Sequence, residues 1–249
     1  MTAERLRACL AALALLLHTG PGSAAPANDI VLVHGAFADG SGWKAVAEIL
    51  QAAGYKVGVA QHPNASLAED VAATRRAIDL QAGPVILVGH SYGGTVITEA
   101  GNHPKVKALV YVAAYAPAAG EDPKALRALY PPPASNVVAV GDGFIIRRPD
   151  SFGADFAADL PRDVSGFMAI AQVPVATKAL AAPVTDAAWA AKPSWYIIAT
   201  EDRIIHPDLQ RHMAQRARSK TVEIKGSHAV FMSQPAAVAR VIRDAAQAQ

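Results

Sequence analysis

ILVGHSYGGTV (Ile86–Val96) drives a strand-type apolar run into a serine ringed by glycines, then continues with a helical period. Gly89, Ser91 and Gly93 fit G-x-S-x-G at a strand–turn–helix junction, where the serine is expected to hold a strained backbone and project its hydroxyl from the end of a sheet. A Cβ at 89 or 93 is expected to collide with neighbouring backbone, so glycine is needed there, and Gly94 eases contact with the next helix. The new helix would aim its N-terminal N–H groups at negative charge developing beside the serine. An ordinary β-to-α turn with an N-capping serine offers a simpler account of the same residues. The choice rests on what the rest of the chain supplies.

On either side of this stretch, short apolar runs alternate with longer amphipathic ones, the pattern of βαβ units around a mostly parallel sheet. Strands are predicted at Ile30–Val33, Lys56–Ala60, Val85–Val88, Val106–Ala113, Trp195–Ala199 and Thr221–Ile224. Helical periodicity marks Trp43–Ala53, Leu67–Leu80, Tyr92–Asn102, Pro207–Arg218 and Gln234–Ala246. From about 117 to 192 the alternation breaks into an Ala- and Pro-rich stretch with no strong strand run. Its Phe144, Ile145, Ile146, Phe152, Phe156, Phe167 and Met168 imply that it packs onto something, as an inserted, mainly helical cap.

The 249 residues are 52% hydrophobic, enough for one large α/β domain with a sizeable core. A net charge of +2 with scattered Lys and Arg shows no basic stripe, so nucleic acid is not an expected partner. Arg5 and Arg7, the apolar run Ala8–Leu17 and the small residues GPGSAAPA have the order of a secretory signal peptide over 1–27, cleaved after Ala27. That run is shorter than the roughly 20 residues a membrane span needs. The mature chain is therefore expected in the periplasm or secreted, with no membrane association beyond export. Cys9, the only cysteine, falls inside this leader, which leaves no disulfide, thiol nucleophile or thiolate metal site in the mature chain.

A serine hydroxyl needs a base within hydrogen-bond reach and a third group to orient that base. The loop after Ala199 carries Asp202, and the loop after Ile224 carries His228. The order Ser91, Asp202, His228 is nucleophile, acid, base. Glu201 competes with Asp202 for the orienting role; Asp208 falls inside the following helix. His90 is expected to pack beneath the turn, and His34 lies in the wrong loop to act as base. His62, His103, His206 and His212 have no metal-ligand spacing and default to surface or loop roles, so neither a metal nor a cofactor is expected. Acyl transfer also needs two donors on the developing oxyanion. The loop opened by Val33-His34-Gly35-Ala36-Phe37 supplies one N–H, and Tyr92, next after the serine, the other.

With these pieces assembled, the chain resembles the α/β-hydrolase superfamily, in the branch of plant-type methyl esterases and hydroxynitrile lyases with related bacterial hydrolases. LVHGA, Trp43 nine residues past His34, LVGHSYGG, and the closing His228, Ser233 and Pro235 carry the likeness. It implies the α/β-hydrolase fold, with Ser91, Asp202 and His228 catalytic and the Ala36 and Tyr92 N–H groups as oxyanion hole. Departures are Ser227 where the plant enzymes have an aspartate, Ala38 and Ser41 where they have His and Trp, and Ala229 in place of the lyase lysine. Lyase activity is therefore not expected.

The expected function is hydrolysis of small to medium, mostly apolar carboxylic esters or lactones through an acyl-enzyme. Phe37 and Tyr92 flank the nucleophile as substrate-binding candidates, and Phe152, Phe156, Phe167 and Met168 are candidates for an apolar lid. A cofactor-free haloperoxidase or perhydrolase would use the same triad, and a non-hydrolysing receptor could retain it. The natural ester, the acyl-chain preference and the oligomeric state stay open at this level.

Overall fold

Six apolar runs become six parallel strands. The computed structural model describes residues 27–249, so the leader expected over 1–27 lies outside the described residues save for Ala27. The chain runs β1 (Asp29–Val33), α1 (Lys44–Ala52), β2 (Lys56–Ala60), α2 (Leu67–Asp79), β3 (Val85–His90), α3 (Gly93–Ala100) and β4 (Val106–Val112). An insertion follows with α4 (Pro123–Leu129), β5 (Val137–Gly141), β6 (Phe144–Arg147), α5 (Pro149–Phe156), α6 (Arg162–Ile170), β7 (Val175–Ala176) and α7 (Thr177–Leu180). The alternation resumes in β8 (Ser194–Ala199), α8 (Pro207–Arg216), β9 (Lys220–Ile224), α9 (Val230–Ser233) and α10 (Pro235–Gln247).

The main sheet has the order β2-β1-β3-β4-β8-β9, every pair parallel. Its inner strands are apolar on both faces because both are covered. Ile30, Leu32, Ile86, Val88 and Val110 meet Val46 and Leu50 of α1 and Val238 and Ile242 of α10. One residue out of step, Val31, Val33, Leu87, Leu109 and Tyr111 meet Val71 of α2, Val96 and Ile97 of α3, and Leu209 and Met213 of α8. The period of two along each strand sorts these residues to opposite faces, and each fully buried aliphatic side chain contributes about 1.5–3 kcal/mol. Local signals start the helices. The Ser66 hydroxyl accepts the Glu69 N–H at 3.3 Å before α2, and Asp122 accepts the Ala125 N–H at 2.8 Å before α4, with Pro123 in its first turn.

The insertion carries the expected helices, together with a three-stranded antiparallel sheet, β5-β6-β7, that the apolar pattern does not announce. β5 is mostly exposed, and the strands have only five, four and two residues. One signal for it is legible. Gly141, the last residue of β5, and Asp142 and Gly143, which link it to β6, all have positive φ, at 101°, 50° and 78°; a Gly-Asp-Gly stretch between apolar runs is a hairpin turn.

The C-terminal ends of β1, β3, β8 and β9 share one rim, the usual place for ligands in an open parallel sheet. The loop of His34–Phe37, the turn of Ser91, the loop of Asp202 and the loop of His228 leave the sheet at these four ends.

Candidate active site

Ser91 has φ +54°, in the left-handed region where a non-glycine residue is strained. Its N–H donates to Val112 O at 3.3 Å, and its carbonyl accepts the Gly94 and Tyr115 N–H groups at 2.9 and 3.1 Å. These bonds hold the turn in place. A Cβ on Gly89 would stand 2.6 Å from Gly93 O, and one on Gly93 would strike the backbone oxygens of Val33 and His34. The second glycine therefore lets the first loop close onto the turn.

Ser91 Oγ lies 2.8 Å from His228 Nε2, and His228 Nδ1 lies 2.7 Å from Asp202 Oδ2. The three residues are 5%, 0% and 2% exposed. Asp202 Oδ1 accepts the N–H groups of Ile204 and Ile205 at 2.7 and 3.0 Å, and Oδ2 accepts Gln210 Nε2–H at 2.8 Å. A carboxylate surrounded by donors accepts from the imidazole too, so the His228 proton sits on Nδ1 and the Nε2 lone pair faces the serine. Glu201 does not compete: its carboxylate is exposed and faces Lys225 Nζ at 3.7 Å.

Three supports escape the motif. Gln210, fully buried, bonds Asp202, donates to Ile205 O at 2.8 Å and accepts the Ala199 N–H at 3.1 Å. Asp159, between α5 and α6, accepts the Ser227 N–H at 2.8 Å, and Phe156 O accepts the Ala229 N–H at 3.1 Å, so the insertion grips His228 from both sides in sequence. Ser227, a departure from the resemblance, is thus bonded to an acid of the insertion through both its N–H and its hydroxyl. His90 packs beneath the turn as expected, against Phe231 and His228 with ring centroids 4.4 and 4.7 Å away. Burial, reinforced by His228, pushes its imidazole well below the ordinary pKa. The neutral ring's one N–H is then on Nε2, since that atom lies 2.9 Å from His228 O, which can only accept.

The N–H groups of Ala36 and Tyr92 donate to no group among the described residues, and both residues line the cavity with Ser91. The loop bearing Ala36 is braced from behind. His34 and His62 stack at 3.7 Å, the His34 Nδ1–H donates to Gly35 O at 2.9 Å, and His34 Nε2 accepts the His62 N–H at 3.2 Å. Burial, then His62, lowers the His34 pKa to about 4, which keeps this acceptor free. His62 lies in a loop but is buried, not at the surface: its Nε2–H donates to His34 O at 2.9 Å. The Tyr92 hydroxyl donates to Asp70 Oδ2 at 2.8 Å. Burial, reinforced by Asp70, raises its pKa, so the ring is a neutral anchor of the turn that carries Ser91.

A cavity of about 900 Å³ opens over Ser91, walled by Ala36, Phe37, Tyr92, Tyr115, Ile145 and Ile204 among others. The expected lid residues are absent from its lining. Phe152 and Phe156 stack on each other inside the insertion, and Phe156 meets the His228 ring edge-on at 4.7 Å; Phe167 is 67% exposed. Periodicity shows such residues to be apolar without showing which neighbour takes them. Among the described residues no group of three or more His, Cys, Asp or Glu is placed to hold a metal ion.

The sequence profile of the Alpha/beta hydrolase family matches residues 30–241. A carbendazim hydrolyzing esterase of Nocardioides is 35% identical over 128 residues, 45% of this chain and 52% of the relative, so the match spans about half of that esterase. A pyrethroid hydrolase of Sphingobium wenxiniae is 29% identical over 251 aligned positions, 89% of this chain and 88% of its own. Among solved structures, polyneuridine aldehyde esterase superposes with a TM-score of 0.75 at 18% identity, over 88% of this chain and 98% of its own, a likeness of fold.

Proposed function

The chain belongs to the alpha/beta hydrolase family, and on that premise we propose that it hydrolyses small to medium, mostly apolar carboxylic esters or lactones through an acyl-enzyme. The observation that carries this reading is the unbroken relay Ser91 Oγ–His228–Asp202, with contacts of 2.8 and 2.7 Å. Its ester-hydrolysing relatives and the largely apolar cavity point the same way.

Ser91 Oγ attacks the ester carbonyl carbon as its proton passes to His228 Nε2. The carbonyl π electrons move to the oxygen, held by the N–H groups of Ala36 and Tyr92, and Asp202 stabilises the imidazolium. When the tetrahedral species collapses, the C–O bond to the alcohol breaks and the departing oxygen takes the proton from Nε2. Water then gives a proton to His228 while its oxygen attacks the acyl carbon. The second collapse releases the acid and returns the proton to Ser91 Oγ. Phe37 and Tyr92 line the acyl site, and no cofactor takes part. The small-molecule ester meets the enzyme in the periplasm or outside the cell, a location supported by the leader pattern over residues 1–27.

Turnover of p-nitrophenyl butyrate by wild type and Ser91→Ala tests the assignment. Wild type should turn over and the variant should not while keeping its circular dichroism spectrum; equal rates would refute the role of Ser91.

A further inference from the structure

The cavity over Ser91 is apolar in its walls but one-sided in charge. Lys124 and Arg127 of α4, Arg147 at the end of β6 and Lys178 of α7 line it, and no Asp or Glu does among the described residues. Lys124, Arg127 and Lys178 are exposed or half-buried, where water serves them.

Arg147 is different. The residue is 2% exposed, and its guanidinium donates no hydrogen bond to any described residue. Nε and Nη2 are walled off without a partner, whereas Nη1, equally unbonded, is not walled off. The nearest anion, Asp155, stands 3.8 Å from Nη2, beyond hydrogen-bond reach. That carboxylate is already shared: Oδ2 accepts Asn136 Nδ2–H at 2.7 Å, and Oδ1 faces Arg203 Nε at 3.8 Å. A buried cation left in this state is costly unless something completes it.

The position is also built. The Arg147 N–H donates to Gln172 Oε1 and its carbonyl accepts Gln172 Nε2–H, each at 2.9 Å, which fixes this point of β6. Ile145, two residues earlier on the same strand, lines the same cavity, as the strand period requires. The guanidinium carbon lies 5.9 Å from the centre of the Phe37 ring, and Phe37 follows Ala36, the oxyanion donor. Burial draws the Arg147 pKa down and Asp155 draws it up, the marks of a cation held in a poorly solvated wall.

We propose that the substrate of this site joins an apolar body to a carboxylate, and that Arg147 is the specificity-determining residue that receives it. The proposal rests on the ester-hydrolase reading and adds its substrate class. A single guanidinium among apolar walls suits a monoanion, because a dianion would lose more hydration than one partner returns. Lys124, Arg127 and Lys178 draw the anion toward the opening.

Two measurements on the full mature chain test this. In calorimetric titration, 4-butylbenzoate should bind about tenfold more tightly than 4-butylbenzamide, as expected for a hydrogen bond between charged groups. In turnover, two matched pairs place the anion on the acyl or the alcohol side: p-nitrophenyl hydrogen glutarate against p-nitrophenyl pentanoate, and 4-butanoyloxybenzoate against 4-butanoyloxybenzamide. One anionic ester should exceed its neutral partner about tenfold in kcat/KM. In Arg147→Met the binding ratio and the raised turnover ratio should each fall to about one, while in Arg147→Lys both should stay above one.

The wild-type comparisons decide the matter even if Arg147→Met does not fold. Neutral and anionic ligands binding and reacting alike would overturn the carboxylate site and leave the hydrolase reading standing. Carboxylate-selective binding with no turnover of any ester would do the reverse.

Discussion

Asp159 of the insertion and Ser227, the residue before His228, are bonded across 68 positions of sequence: Asp159 Oδ2 accepts the Ser227 N–H at 2.8 Å. The same carboxylate accepts the hydroxyls of Ser227 and Ser233. Asp159→Ala frees the loop that carries His228 without touching substrate. It should lower kcat about tenfold with KM little changed, since a misplaced base costs the transition state more than the ground state. Steady-state kinetics at a temperature well below Tm separates this from simple unfolding, and an unchanged kcat would remove the positioning role.

Asp202 and Glu201 are adjacent but face different surroundings. Asp202→Asn should reduce kcat on the order of 10⁴-fold, as loss of the orienting carboxylate does in triad enzymes. Glu201→Gln gives up only an exposed contact with Lys225 and should stay within about twofold of wild type. The opposite ranking in a p-nitrophenyl ester assay would exchange the two assignments.

Gln210 bridges Asp202, Ile205 and Ala199 from a fully buried position. Gln210→Leu keeps much of the volume but strands the Ala199 N–H and removes a donor from Asp202. It should lose about 1–3 kcal/mol of stability for each buried group left unsatisfied, together with activity. Urea denaturation at pH 7.5 reads the first effect; a variant as stable as wild type would show that water replaces the amide.

His34 sets an acid limit to stability. Its pKa falls from 6.5 in the unfolded chain to about 4 when folded, because of burial and then His62. Between those values the unfolded chain takes up a proton that the folded one refuses, so stability is complete above pH 6.5 and declines as pH falls toward 4. The loss is on the order of 3 kcal/mol. Asp159 acts in the same direction. Burial opposes ionisation there, but hydrogen bonds from Ser227 and Ser233 win and hold its pKa below the usual carboxylate range. Its contribution is present at neutral pH and lost as pH falls through that range. Urea midpoints at pH 7.5, 5.5 and 4.5 should fall in order, less steeply in His34→Asn; an equal slope in both proteins would clear His34.

Much of the site is legible before any coordinates. Apolar runs bounded by Gly, Asp and Pro become the parallel strands, and Gly89, Ser91 and Gly93 announce a turn that no Cβ at 89 or 93 could make. Asp202 and His228, the proposed acid and base, are legible because they sit just past strand ends, and a parallel sheet brings those ends to one rim. The resemblance marks Ser227 as a departure; its bonds to Asp159, 68 positions away, are visible only in three dimensions.

Local chemistry was enough for the periodicities, the strained turn at Ser91 and the order in which Ser91, Asp202 and His228 follow strand ends, because backbone sterics and the two-residue repeat of a strand act between neighbours in the chain. Only the folded packing placed Gln210 against Asp202 and Asp159 against the loop of His228, turned Phe152 and Phe156 of the insertion away from the cavity over Ser91, and buried Arg147 at the cavity wall. Those outcomes are contacts between segments far apart in the chain, made by side chains whose direction depends on the packing of a short, irregular insertion. No spacing encodes such contacts, because their energy comes from which surfaces finally meet.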